Sequence, residues 1–96
     1  MLRWKTKKLS EFAQALLVLK SEAEVLSFLR DVATLEELHA LANRWEVVHQ
    51  LDRGVPYRDI ADAVGVSTAT VTRIAHWLHH GEGGYQLVID RQKKSS

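Results

Sequence analysis

One segment restricts this chain more than any other. It runs Tyr57-Arg58-Asp59-Ile60-Ala61-Asp62-Ala63-Val64-Gly65-Val66-Ser67-Thr68-Ala69-Thr70-Val71-Thr72-Arg73-Ile74. The spacing predicts a short helix to Ala63, a tight turn centred on Gly65, and a helix from Ser67 to about His79. Two helices that cross steeply through so short a turn need a small residue at the crossing, and Ala61 is one. The turn needs a residue that accepts positive φ, and Gly65 is one. The interior needs apolar groups, supplied by Ile60, Val64, Val66, Val71 and Ile74. Ser67 is a strong cap for the second helix. One such match is weak, but seven coincident positions and a cap predict a helix-turn-helix.

The rest of the chain is punctuated as helices too. Ser10 is read as the cap of a first helix to about Leu19. Ser21 with Glu24, and Thr34 with Glu37, are capping-box pairs. They predict a second helix to about Val32 and a long third helix to about Arg53. The second carries Val25, Phe28, Leu29 and Val32 on one stripe. The third turns Leu38, Leu41, Ala42, Trp45, Val48 and Leu51 inward. Gly54 and Gly81 are read as stops, and Pro56 as the first-turn residue of the helix that follows. The run Ala15-Leu16-Leu17-Val18-Leu19 covers more than one helix face. A helix apolar nearly all round is buried on both sides, and in so short a chain the cheapest second side is another copy of itself. Beyond Gly81, the run Leu87-Val88-Ile89 fits a strand, a helical turn or an arm docked on a partner.

Length and composition narrow the function. Ninety-six residues predict one domain, 1–96. With no cysteine, the chain has no disulfide, thiolate zinc site or cysteine nucleophile. No leader or membrane span is read near the N-terminus, where the apolar run is too short for a bilayer, so a soluble cytoplasmic protein is expected. The net charge is +1, which excludes a simple polybasic coat. That neutrality is a sum over segregated regions. Residues 1–8 form a basic arm with Arg3, Lys5, Lys7 and Lys8. Residues 9–55, read as a helical dimerisation core, are acidic. Residues 56–80 hold the helix-turn-helix, where Arg58 and Arg73 balance Asp59 and Asp62. Residues 81–96 are read as a mildly basic tail.

The outward face of the second helix decides the chemistry. At about 100° per residue, Val71, Ile74, Ala75 and Leu78 point inward. Thr68, Ala69, Thr72, Arg73 and His76 point out. A solvated face would favour Glu and Lys, which form helices better than threonine does. Hydroxyls at a helix start suit phosphate oxygens, and small methyls suit thymine. The segment therefore reads as a DNA-reading unit. Arg58, Ser67 and Thr70 are expected on phosphates, and Thr68, Ala69, Thr72, Arg73 and His76 on bases. The plainer reading is a tolerated threonine-rich surface.

Ala40-Leu41-Ala42-Asn43-Arg44, Leu51-Asp52-Arg53-Gly54 and Tyr57 through Arg73 together resemble the Trp repressor superfamily. The continuation Ile74-Ala75-His76-Trp77-Leu78-His79-His80-Gly81-Glu82-Gly83-Gly84-Tyr85 is similar to its YerC/YecD-type members. The resemblance spans about Thr34 to Arg91. It implies an all-α, multi-helix fold, an intertwined homodimer, and an operator bound by two recognition helices. It implies base contacts at Thr68, Ala69 and Thr72, a phosphate contact at Thr70, and a co-repressor between Arg44 and Arg73. Ile74 stands where the family has a glycine, and Trp77 where it has a small polar residue. Both fill space the ligand needs, so tryptophan is not expected to bind. The competing expectation is a different small ligand held by Arg44 and Arg73.

Other constellations are weaker. His76, His79 and His80 fall on one helix, and two of them could hold a metal. No carboxylate lies at ligand spacing, and imidazoles at a helix C-terminus suit its dipole, so no metal and no cofactor is expected. Gly81-Glu82-Gly83-Gly84 lacks the lysine and hydroxyl of a phosphate loop. Glu36, Glu37, Asp59 and Asp62 make no acid–base pair in a pocket, so no enzyme is expected. Trp4, Trp45 and Trp77 read as core or interface residues. The leading expectation is a homodimeric, sequence-specific DNA-binding regulator, a repressor acting on double-stranded operator DNA by promoter occupancy. Its rival is a helix-turn-helix kept only for protein interaction or dimerisation.

Overall fold

The computed structural model describes residues 4–95. Within them the chain is all helical: α1 (Lys7–Leu17), α2 (Glu22–Val32), α3 (Leu35–Asp52), α4 (Tyr57–Val64), α5 (Thr68–His80) and α6 (Gly84–Ser95). No helix among the described residues is long and apolar enough to cross a membrane. The chain divides into two compact units, one ending at Leu38 and the other starting at His39.

In the first unit, α1 starts earlier than the sequence suggests. Thr6, not Ser10, is the cap, and its hydroxyl accepts from the Leu9 amide at 3.1 Å. The Ser10 amide already donates to the Thr6 carbonyl at 3.0 Å, so Ser10 lies inside the helix. Lys7 and Lys8 are therefore in the first turn of α1, not in an extended arm. Arg3 lies outside the described residues. The Ser21 hydroxyl caps α2 as expected, accepting from the Glu24 amide at 3.1 Å. The Glu24 carboxylate reaches past Ser21 to accept from the Lys20 amide at 2.8 Å. The pair at the start of α3 is fully reciprocal. The Thr34 amide donates to Glu37 at 2.8 Å and the Glu37 amide donates to the Thr34 hydroxyl at 3.1 Å. Both arrangements satisfy amides that a helix start leaves orphaned.

Phe12 of α1 and Phe28 of α2 stack with ring centres 5.9 Å apart. Even so, neither helix has a single fully buried residue. Leu17 is 83 % exposed and Val18 71 %, and Leu26, Val32 and Leu35 are more than half exposed.

The second unit holds the core. Val47 and Val48 of α3, Ile60 and Ala61 of α4, Val71 and Ile74 of α5, and Ile89 of α6 bury one another. Trp45, Leu51, Val55, Val64, Val66, Leu78 and Tyr85 close around them. Leu41 and Ala42, expected inward, are exposed, while Val47, which was not singled out, is fully buried. The apolar stripe of α3 is thus longer than the part this unit covers. At the end of α3, the Val55 amide donates to Gln50 and the Gly54 amide to Leu51, both at 3.0 Å. This double bond past a left-handed glycine is the Schellman arrangement. Pro56 sits one place before the expected position, as the N-cap of α4.

The segment after Gly81 is not an irregular tail. It forms α6, and Ile89 is its one buried residue. Lys93 of α6 pairs with Asp52 of α3 at 3.0 Å.

Candidate nucleic-acid interface

The α4–α5 pair is built as its sequence suggests. Gly65 ends α4 with φ +84°, and a Cβ there would meet nothing within 4 Å. Its requirement is thus conformational, not steric. The Ala61 carbonyl accepts from both the Gly65 amide (2.9 Å) and the Val66 amide (3.1 Å), closing the turn. Ser67 then caps α5, accepting from the Thr70 amide at 3.0 Å.

The inward face of α5 buries Val71, Ile74 and Ala75, with Leu78 packed at the core's edge. This fixes the opposite face. Thr68, Ala69, Thr72, Arg73 and His76 are all exposed, as are Arg58 in the first turn of α4 and Ser67; Thr70 is half-buried. A short polar network runs along this face. The Ser67 hydroxyl donates to the Thr70 hydroxyl oxygen at 3.0 Å, and the Arg73 guanidinium donates to the same oxygen at 3.2 Å. Ser67, Thr70 and Arg73 therefore share one line at helical spacing. The Thr72 hydroxyl donates back to the Thr68 carbonyl at 3.0 Å. Its proton is used within the helix, which leaves its methyl group and oxygen lone pairs for an outside partner.

Arg44 and Arg73 have different surroundings within the chain. Arg44, from α3, sits over the Trp77 ring at 5.7 Å. Both line an open cleft of about 880 Å³ with Trp45, Gly81, Glu82, Gly84, Tyr85, Val88 and Gln92. Arg73 is not among its lining residues. Ile74 is 1 % exposed and belongs to the core, whereas Trp77 is 44 % exposed and forms a wall of the cleft. Of the two bulky replacements, then, only Ile74 is taken into the interior. Tyr85 stacks on Trp45 with centres 6.2 Å apart. Sequence reasoning missed the Tyr85 contribution, because it depends on a helix that the glycines before it conceal. Gly81 ends α5 with φ −85°, outside the left-handed region. A Cβ at this position would strike the Trp77 carbonyl oxygen, so close approach is what requires glycine here.

The cleft and the exposed face of α5 lie on a fold that recurs in known proteins. A solved structure of a TrpR like protein from Eubacterium eligens ATCC 27750 superimposes with a TM-score of 0.89 at 37 % identity, covering 95 % of this chain and 94 % of that one. A second, from Staphylococcus aureus, gives a TM-score of 0.88 at 30 % identity, with 95 % and 91 % covered. The uncharacterized protein YerC of Bacillus subtilis (strain 168) is 35 % identical over 89 residues, which is 93 % of this chain and 86 % of YerC. The family model described as Trp repressor protein matches residues 7–93, from the first turn of α1 nearly to the end of α6. On these grounds the chain belongs to the Trp repressor protein family.

Proposed function

We propose that this protein is a cytoplasmic, sequence-specific DNA-binding transcriptional regulator. It acts as a homodimer and represses by occupying a promoter. The observation that carries the reading is the exposed face of α5. Short hydroxyls, a methyl, a guanidinium and an imidazole lie on the side opposite Val71, Ile74 and Ala75. Thr68, Ala69, Thr72, Arg73 and His76 read base edges in the major groove, where a helix fits and each base pair has its own pattern. Arg58, Ser67 and Thr70 hold phosphates. In a dimer, two such helices enter successive major grooves about 34 Å apart.

Dimerisation is supported by the first unit. Leu17, Val18, Leu26 and Val32 present apolar side chains that are each more than half exposed. A second copy is the occupant that the resemblance implies. Lys7 and Lys8 support a general attraction to DNA. They stand in the positive first turn of α1, where cations are locally unfavourable, so helix stability does not explain them. Tryptophan is not the effector in this reading, because the glycine that makes room for an indole is the buried Ile74.

Selection of bound sequences from random DNA tests the reading, with affinity followed against salt. A defined half-site repeat and a steep salt slope are expected. The double variant Thr72→Ala, Arg73→Ala is expected to lose sequence preference while remaining a dimer by sedimentation. Replacing Lys5, Lys7 and Lys8 with Gln is expected to weaken binding to all sequences and flatten the salt slope. Absence of DNA binding in a well-folded dimer would favour the protein-interaction reading instead.

A further inference from the structure

The last turns of α5 bring His76 and His80 together, with ring centres 4.9 Å apart and ring planes tilted by 42°. His79 is farther from His80, at 6.4 Å. All three imidazoles are exposed. A transition-metal ion binds imidazole nitrogen at about 2.0–2.1 Å. Adding roughly 1.1 Å from nitrogen to ring centre places the centres of two rings sharing one ion about 4.5–5.2 Å apart, over bond angles from square to tetrahedral. The observed separation falls within that interval. The sequence alone gives only i, i+4 spacing, and it sets these histidines aside for want of a third ligand. Two ligands suffice for a chelate when water or another donor takes the remaining positions.

We infer that His76 and His80 form a two-imidazole site for a divalent transition metal, copper(II) above zinc(II), and that the bound ion withdraws His76 from DNA. Several observations converge on this. Among the described residues, neither ring has a carboxylate within ion-pair distance. Among the described residues no set of three His, Cys, Asp or Glu could surround an ion, so water would have to fill the remaining coordination positions. The helix holds both rings at fixed spacing, which reduces the ordering needed on binding. Imidazole suits copper and zinc, and affinity rises towards copper(II) along the first-row series. His76 also shares the outward face with Thr72 and Arg73. An imidazole bonded to a metal loses a nitrogen for base contact. This second part rests on the DNA-binding reading; the site itself does not.

Calorimetry at pH 7.5 with copper(II) and zinc(II) salts, on the full chain without DNA, tests the site. One ion per chain is expected, with copper(II) the tighter. His76→Ala and His80→Ala should each weaken copper binding at least tenfold, and His79→Ala less than twofold. Equal losses in all three variants, or wild-type affinity in His76→Ala and His80→Ala, would overturn the site. DNA titrations with and without copper(II) test the consequence. The ratio of specific to non-specific affinity should fall about fivefold or more in the wild type, the size of one lost base contact. It should be unchanged by copper(II) in His80→Ala. An equal fall in His80→Ala would overturn the coupling. A chain that binds copper(II) as described but never binds DNA would reject the functional reading and leave the metal site standing.

Discussion

Arg44 lies over the indole of Trp77, its guanidinium carbon 5.7 Å from the ring centre, at the mouth of a cleft that Arg73 does not enter. One arginine thus has an aromatic partner within the chain, while the other is hydrogen-bonded to Thr70. Within one chain, the two guanidinium groups thus have different partners. Isothermal calorimetry with L-tryptophan is expected to show no micromolar binding. Arg44→Ala is expected to cost about 0.5–1 kcal/mol, the usual worth of an exposed cation–π contact, read from urea denaturation.

Gly65 and Gly81 are both helix stops, and they should fail differently. Gly65→Ala places a Cβ in open space but forces an L-residue into the left-handed region, at about 1–2 kcal/mol. Gly65→Asn should recover part of that loss, because asparagine tolerates this conformation. Gly81→Ala keeps an accessible φ but drives its Cβ against the Trp77 carbonyl. Asparagine brings no recovery at that position. Thermal melts of the four single variants distinguish conformational from steric demand.

The Thr34–Glu37 box predicts a response to acid. Hydrogen bonds from the Thr34 backbone and then from its side chain hold the Glu37 carboxyl below its ordinary value of 4.5. A carboxyl depressed in the folded state contributes stability that is present above 4.5. That contribution is lost as pH falls through the lower folded value. Glu37→Gln should therefore flatten stability against pH below about 4.5, and leave the slope near neutrality unchanged. Denaturant midpoints measured across that range would show it. An unchanged acid slope in Glu37→Gln would contradict the box.

Ile89 is the one buried residue of α6. It is 4 % exposed, while Leu87 and Val88, the two residues before it, remain nearly half exposed. Ile89→Ala should cost about 2–4 kcal/mol, as for other large-to-small core changes. Leu87→Ala should cost far less in the isolated chain. The ratio of the two, from chemical denaturation, tests whether α6 is integral to the second unit.

What the sequence revealed and what it hid follow from where the physical signals lie. The stretch from Tyr57 to His80 was legible because turn, cap and interior all impose local demands, and each is met by one residue type. The boxes at Ser21 and Thr34 were legible for the same reason. The start of α1 was not, because Thr6 has no acid three places on to complete a box, and two lysines follow it. Helix α6 was hidden by its composition. It opens on glycine, buries one residue and shows only a three-residue apolar run, too short to reveal a period. The exposure of Leu41 was hidden too, since periodicity names an apolar stripe without naming what covers it. For the site, the outward set on α5 was readable from angle alone. That Arg44, and not Arg73, lines the cleft beside Trp77 required coordinates, because it depends on how three helices meet.

The line from Ser67 through Thr70 to Arg73 has a consequence for recognition. A free arginine explores many rotamers, and settling it on a target gives up that freedom at the moment of contact. Here the Thr70 oxygen already holds the guanidinium, and Ser67 holds Thr70. Much of the ordering happens when the chain folds. In the proposed DNA-binding role, such a surface would meet its target with its geometry already chosen and would distinguish sequences by fit rather than by accommodation.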